Sequence, residues 1–139
     1  MKNLRNYKIN YKKVLFRADL NVPVLDGIIT DQSRILAIKS SIENLIVAKN
    51  KIFILAHFGR PKGEVIEKYS LKFILSSLKE ILKVEKIHFL KKLQEQNIIK
   101  KIDEMNPGEV CLVENIRFEK REEKIDWDFA KNISSLFDV

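Results

Sequence analysis

The sequence predicts an α/β fold in which a parallel sheet lies between helices, a three-layer αβα arrangement. Strand-like and helix-like periodicities alternate four times along the chain. The strand candidates are continuously apolar rather than alternating, as strands covered on both faces require. The 139 residues contain no internal repeat, linker or low-complexity tract, so one core can account for them.

The elements follow in order. Val14–Leu20 is the first strand candidate, and NVPVLDGIITD after it makes a turn through Asp26-Gly27. Asp31 can cap a helix whose apolar face is Ile35, Ile38, Ile42, Leu45 and Ile46. Ile52–Ala56 is the second strand. Ser70 caps a helix with Leu71, Ile74, Leu75, Leu78, Ile81 and Leu82 on one face. Lys86–Leu90 is a short third strand. Ile98, Ile99, Ile102 and Met105 mark a weaker helix that stops at Asn106-Pro107-Gly108. Glu109–Val113 is the fourth strand. A loop to about Ile125 then leads to a last helix carrying Phe129, Ala130, Ile133, Leu136 and Phe137.

Composition narrows the function classes. Net charge is +7, and residues 1–56 hold ten Lys/Arg against four Asp/Glu (+6), leaving +1 for residues 57–139. No basic stripe with interleaved aromatics accompanies that charge, so a solvated surface explains it better than specific nucleic-acid binding. Cys111, the lone cysteine, sits inside an apolar run and reads as a buried structural thiol. A single cysteine fits a reducing compartment, and the expectation is a cytoplasmic protein. No apolar stretch reaches the roughly 18 residues a membrane span needs, and MKNLRNYKINYKK lacks a signal-peptide core.

In a parallel sheet every strand ends on the same edge, and ligands bind there. Asp19 and Asn21 follow the first strand, with Arg34 opening the next helix. After the second strand come His57, Gly59, Arg60 and Lys62. After the fourth come Glu114, Asn115 and Arg117, whereas the third ends blandly in LKKL. Three separated segments thus bring polar groups to one rim where cations outnumber anions. A small anion bearing carboxylate or phosphate suits such a rim, because guanidinium forks match both. Each residue has a plainer reading. Asp19 and Asn21 are also ordinary turn residues, His57 an edge histidine, and Arg60, Lys62 and Arg117 surface charges. Arg34 at a helix start opposes the helix dipole, which favours a functional role. The convergence carries the argument. There is no GxxxxGK[ST] loop, no GxGxxG after the first strand, no Cys/His cluster suited to zinc, and no Ser or Cys nucleophile at a recognisable motif beside His57 or His88.

Three segments then become specific together. FRADLNVPVLDGIITDQSRI, ILAHFGRPKG and CLVENIRF, in this order and spacing, resemble the N-terminal half of phosphoglycerate kinase. The resemblance runs from about Lys13 to the last residue and includes EKIDWDFAKNISSLFDV. It implies a Rossmann-like N-terminal domain of a two-domain glycolytic enzyme that moves a phosphoryl group between 1,3-bisphosphoglycerate and ADP. It further implies that this domain holds 3-phosphoglycerate, that a separate C-terminal domain holds Mg-ATP or Mg-ADP, and that the enzyme is monomeric. Carried over position by position, Asp19, Leu20 and Asn21 would line the glycerate end, with His57, Phe58, Gly59 and Arg60. Arg60 and Arg117 would hold the substrate phosphate, and Arg34 would reach the acyl phosphate as the catalytic cation. Leu20 stands where the family usually has Phe, and Phe58 where it usually has Leu, so both stay apolar.

The resemblance also sets an expectation about extent. Past Val139 the family enters another strand with an Asn-Asp-Ala-Phe-like segment, then a further Arg/His motif, a hinge and the nucleotide domain. The chain is therefore expected to be a partial N-terminal domain, inactive alone and marginally stable. Two other readings stand beside it: a catalytically dead product of a decayed gene or simple anion-binding module, and a nucleic-acid binder driven by net charge.

Overall fold

The computed structural model describes residues 8–124 and 126–139. Ile125, the expected loop end, lies outside them, as does the 1–7 segment. The elements are β1 (Lys13–Arg17), a hairpin of β2 (Val24–Leu25) and β3 (Ile28–Ile29), α1 (Ser33–Val47), β4 (Lys51–Leu55), α2 (Leu75–Leu82), β5 (His88–Leu90), α3 (Glu95–Glu104), β6 (Val110–Val113), α4 (Lys120–Glu123) and α5 (Trp127–Ser134). Four strands pair in parallel in the order β1-β4-β6-β5.

The continuous apolarity of the strands has the expected cause. Successive side chains of β4 alternate between two cores. Ile52 and Ile54 join Val14, Val110 and Leu112 against α1 and α2. Phe53 and Leu55 join Cys111 and Val113 against α3 and α5. Both sheet faces are therefore covered, which is the three-layer arrangement.

Several boundaries differ from the sequence expectation. β1 stops at Arg17 rather than at residue 20. Ala18 N still bonds to Leu55 O at 2.9 Å, but Val22 N then turns back to Leu20 O at 2.8 Å. Asp31 acts one position before the cap: the cap residue is Gln32, and Asp31 Oδ1 accepts from Ser33 N at 2.7 Å. Ser70 does cap, accepting from Lys72 N at 3.2 Å, yet a 3₁₀ turn over Leu71–Ile74 precedes α2. The third strand shortens to His88–Leu90, where pairing with β6 runs from His88 opposite Cys111 to Leu90 opposite Val113. Glu109 N is taken by Asn106 O at 3.1 Å, so β6 begins at Val110. Leu136 and Phe137 follow α5 instead of belonging to it, and still pack on the second core. The expected loop after the fourth strand holds a 3₁₀ turn over Ile116–Phe118 and the short α4. Asp26 and Gly27, with φ of 50° and 78°, form the two-residue turn of the β2–β3 hairpin.

Candidate functional site

The rim is built by short bonds between the chain segments leaving β1, β4 and β6. Asn21, after β1, accepts on Oδ1 from Gly59 N at 3.0 Å. Arg117, after β6, donates from Nη1 to Gly59 O at 2.8 Å. Gly59 is thereby held from both sides. Its φ is +60°, and a Cβ there would lie 2.4 Å from the Tyr69 ring, so only glycine lets the loop pass.

Asn115 fixes the rest of this loop from beneath. Its Oδ1 accepts from Phe58 N (3.2 Å) and Arg117 N (3.1 Å), and its Nδ2 donates to Phe58 O (2.6 Å) and Tyr69 O (2.9 Å). These four bonds use the full capacity of a side-chain amide in a buried position. Glu114 is similarly consumed, accepting from Ser70 Oγ at 2.7 Å and Leu71 N at 2.8 Å. Both residues are brought to the rim as expected, but their side chains hold the scaffold and offer no free group to a ligand.

The charged groups lie above that scaffold. Asp19 accepts from Arg34 Nη1 on Oδ2 and from Asn21 N at 3.1 Å on Oδ1. The Arg34 bond, then the Asn21 amide, pulls its carboxyl below the usual carboxylate range, so it is ionised at neutral pH. Arg60 is exposed and makes no ion pair or side-chain hydrogen bond among the described residues. His57 is half-buried, and its Nδ1 is shielded from solvent with no hydrogen-bond partner. Burial first, then the cations Arg117 and Arg17, push the imidazole below its ordinary value. Because Nδ1 is shielded, a ligand's hydrogen bond to this ring has to come to the other nitrogen, Nε2. Phe58 packs on Phe73 with ring centres 5.0 Å apart, and Leu20 is fully buried in the core. Lys62 is exposed in a left-handed conformation, as a solvated charge would be.

Two charged residues at this edge escaped sequence reasoning. Arg17 was hidden inside an apparent strand, and Glu122 inside the charged run KREEK. They pair at 3.4 Å, Arg17 Nη2 to Glu122 Oε1, and both act electrostatically on His57. His88 belongs elsewhere: its Nε2 meets Glu109 Oε2 at 2.6 Å, where the chain enters β6 at the opposite sheet edge. Cys111 is buried and its thiol is pushed up to about 12 by that burial, which leaves no thiolate for chemistry. Among the described residues no three His, Cys, Asp or Glu side chains gather as a metal would require, and no helix is long and apolar enough to cross a membrane.

The arrangement can hold an anion with arginine cations and neutral hydrogen-bond donors. Comparison with known proteins bears on which anion. The family model described as phosphoglycerate kinase matches residues 4–139. Phosphoglycerate kinase of Finegoldia magna is 38% identical over 99% of this chain and 35% of its own length. That of Rhizobium meliloti is 44% identical over 92% of this chain and 32% of its own. The crystal structure of phosphoglycerate kinase from Pyrococcus horikoshii superimposes with a TM-score of 0.84 at 29% identity, covering 99% of this chain and 35% of that one. The Coxiella burnetii phosphoglycerate kinase structure gives 0.81 at 30% identity over 96% of this chain and 32% of that one. The chain thus spans about a third of the length of the curated relatives it matches.

Proposed function

The chain belongs to the phosphoglycerate kinase family, and from that premise we propose that its rim is the acid-binding side of a phosphoryl transfer between 1,3-bisphosphoglycerate and ADP. These 139 residues then act as a 3-phosphoglycerate-binding portion of the N-terminal domain. Asp19 and Asn21 face the glycerate end with His57, beside the apolar Leu20 and Phe58. Arg60 and Arg117 take the substrate phosphate at Gly59, and Arg34 takes the acyl phosphate. When the reaction runs toward the bisphosphate, the nucleophile is the acid's own carboxylate. It is already ionised, so no general base is required, and the site's work is positioning plus cations where charge spreads.

Mg-nucleotide is the family's second substrate. Among the described residues no three His, Cys, Asp or Glu side chains gather that could hold a metal ion by themselves. The family resemblance assigns the nucleotide to a separate C-terminal domain. The reading also carries a cytoplasmic, glycolytic setting and a protein with no specific nucleic-acid partner.

The observation that carries the proposal is the double hold on Gly59, by Asn21 at 3.0 Å and Arg117 at 2.8 Å, which joins three strand ends into one cation-rich rim. Calorimetric titration of the 139-residue polypeptide with 3-phosphoglycerate tests it. Saturable binding is expected, weakened by Arg60→Met, with no turnover when ATP is added. Absence of binding would sink the acid-side assignment, and turnover would sink the division of labour. Equal affinity for sulfate and 3-phosphoglycerate would reduce the rim to a simple anion-binding module.

A further inference from the structure

We propose that Glu122 is a positioning residue that holds Arg17 away from the anion, and so limits how tightly the rim binds a phosphate or carboxylate. The inference rests on the acid-side reading above and adds a residue and a regulation to it. The cations on the rim are not equally available. Arg34 is taken up by Asp19, and Arg117 donates to Gly59 O. Arg17 points from the end of β1 to Glu122 on α4, 3.4 Å away. Its side chain is 52% exposed while Glu122 is 25% exposed, so the arginine is the accessible member of the pair.

The position of this pair gives it influence. The charged groups that act on the His57 ring are Arg117, Arg17, Asp19 and Glu122. Arg17, at the strand end that leads into Asp19, and Glu122 are therefore within electrostatic reach of the His57 ring. An arriving dianion and the Glu122 carboxylate compete for the same guanidinium, because one fork fully engages one oxyanion at a time. At 3.4 Å and half exposure the resident pair is weak, so a better-placed dianion can displace it. Glu122 then acts as a tethered competitor, lowering affinity and weakening hold on the ligand.

The test compares the wild-type chain with Glu122→Gln, Arg17→Met and the double variant, using inorganic sulfate and 3-phosphoglycerate at low salt where exposed charges act. E122Q should bind both anions about 3-fold tighter, the size of one exposed ion pair. The gain should vanish in the Arg17→Met background. No gain, or a gain that survives without Arg17, overturns the inference. NMR titration of His57 gives a ligand-free readout that a merely structural role would not move. Removing the Glu122 charge should lower the His57 midpoint while the fold is retained, and an unchanged midpoint counts against the proposal. If the wild type binds sulfate but no 3-phosphoglycerate, the acid-side reading fails, and the sulfate comparison of E122Q with the double variant still decides this one.

Discussion

His57 is a rim residue whose chemistry is set by its surroundings. Its depressed midpoint means that the unfolded chain binds the proton more readily than the folded one. The stability this residue contributes is thus present above about pH 6.5, its unfolded value, and is lost as pH falls from there through the lower folded midpoint. A bound anion reverses part of that balance by favouring the imidazolium. Sulfate, whose charge is constant in this range, should therefore bind more tightly as pH falls from 7.5 toward 5.5. A bound-state midpoint about one unit higher would give up to ~10-fold. His57→Gln should flatten the profile, and a flat wild-type profile would remove His57 from the anion's surroundings. The residue scale is also where the sequence was hardest to read. Asp19, His57, Arg60 and Arg117 stood out by type and by position after strands. Asn115 did not reveal that its amide would be spent on backbone, because that depends on Phe58 and Tyr69 arriving from distant positions.

At the scale of elements, the sheet was legible because burial on both faces leaves a plain signature, uninterrupted Ile, Val, Leu and Phe. The β2–β3 turn was legible for a similar reason, since Asp-Gly suits two consecutive positive φ values. Element ends were less so. The 3₁₀ turn after Ser70 follows from Glu114 bonding both Ser70 Oγ and Leu71 N, a tertiary contact no local pattern encodes. These ties make a prediction. Asn115→Ala strands Phe58 N, Phe58 O, Tyr69 O and Arg117 N in a part-buried setting, so it should cost roughly 2–3 kcal/mol. Urea denaturation should show a lower midpoint with an unchanged slope. A loss below about 0.5 kcal/mol, within the range of ordinary surface changes, would mean the loop holds itself without this residue.

For the molecule as a whole, the sheet divides the interior into two cores that share strands but few side chains. Phe53 anchors the second of them from the centre of β4, fully buried, with its ring 5.2 Å from that of Phe137. Phe53→Ala should therefore cost roughly 3–5 kcal/mol. Against a typical total of about 5–15 kcal/mol, that would leave the chain close to unfolding. Circular dichroism is the right measure, because Trp127 is 80% exposed in the fold and its emission would change little on unfolding. A cost under about 1.5 kcal/mol would show that α5 and the Phe137 segment are not firmly packed.

The double hold on Gly59 has a spectroscopic consequence. The chain contains only four glycines, so selective ¹⁵N-glycine labelling would give at most four backbone amide signals. One of them comes from a proton held by the Asn21 side chain, on a residue whose carbonyl is held by Arg117. That single resonance registers all three strand ends at once, through its shift for ligand arrival and through its exchange rate for the opening of the loop.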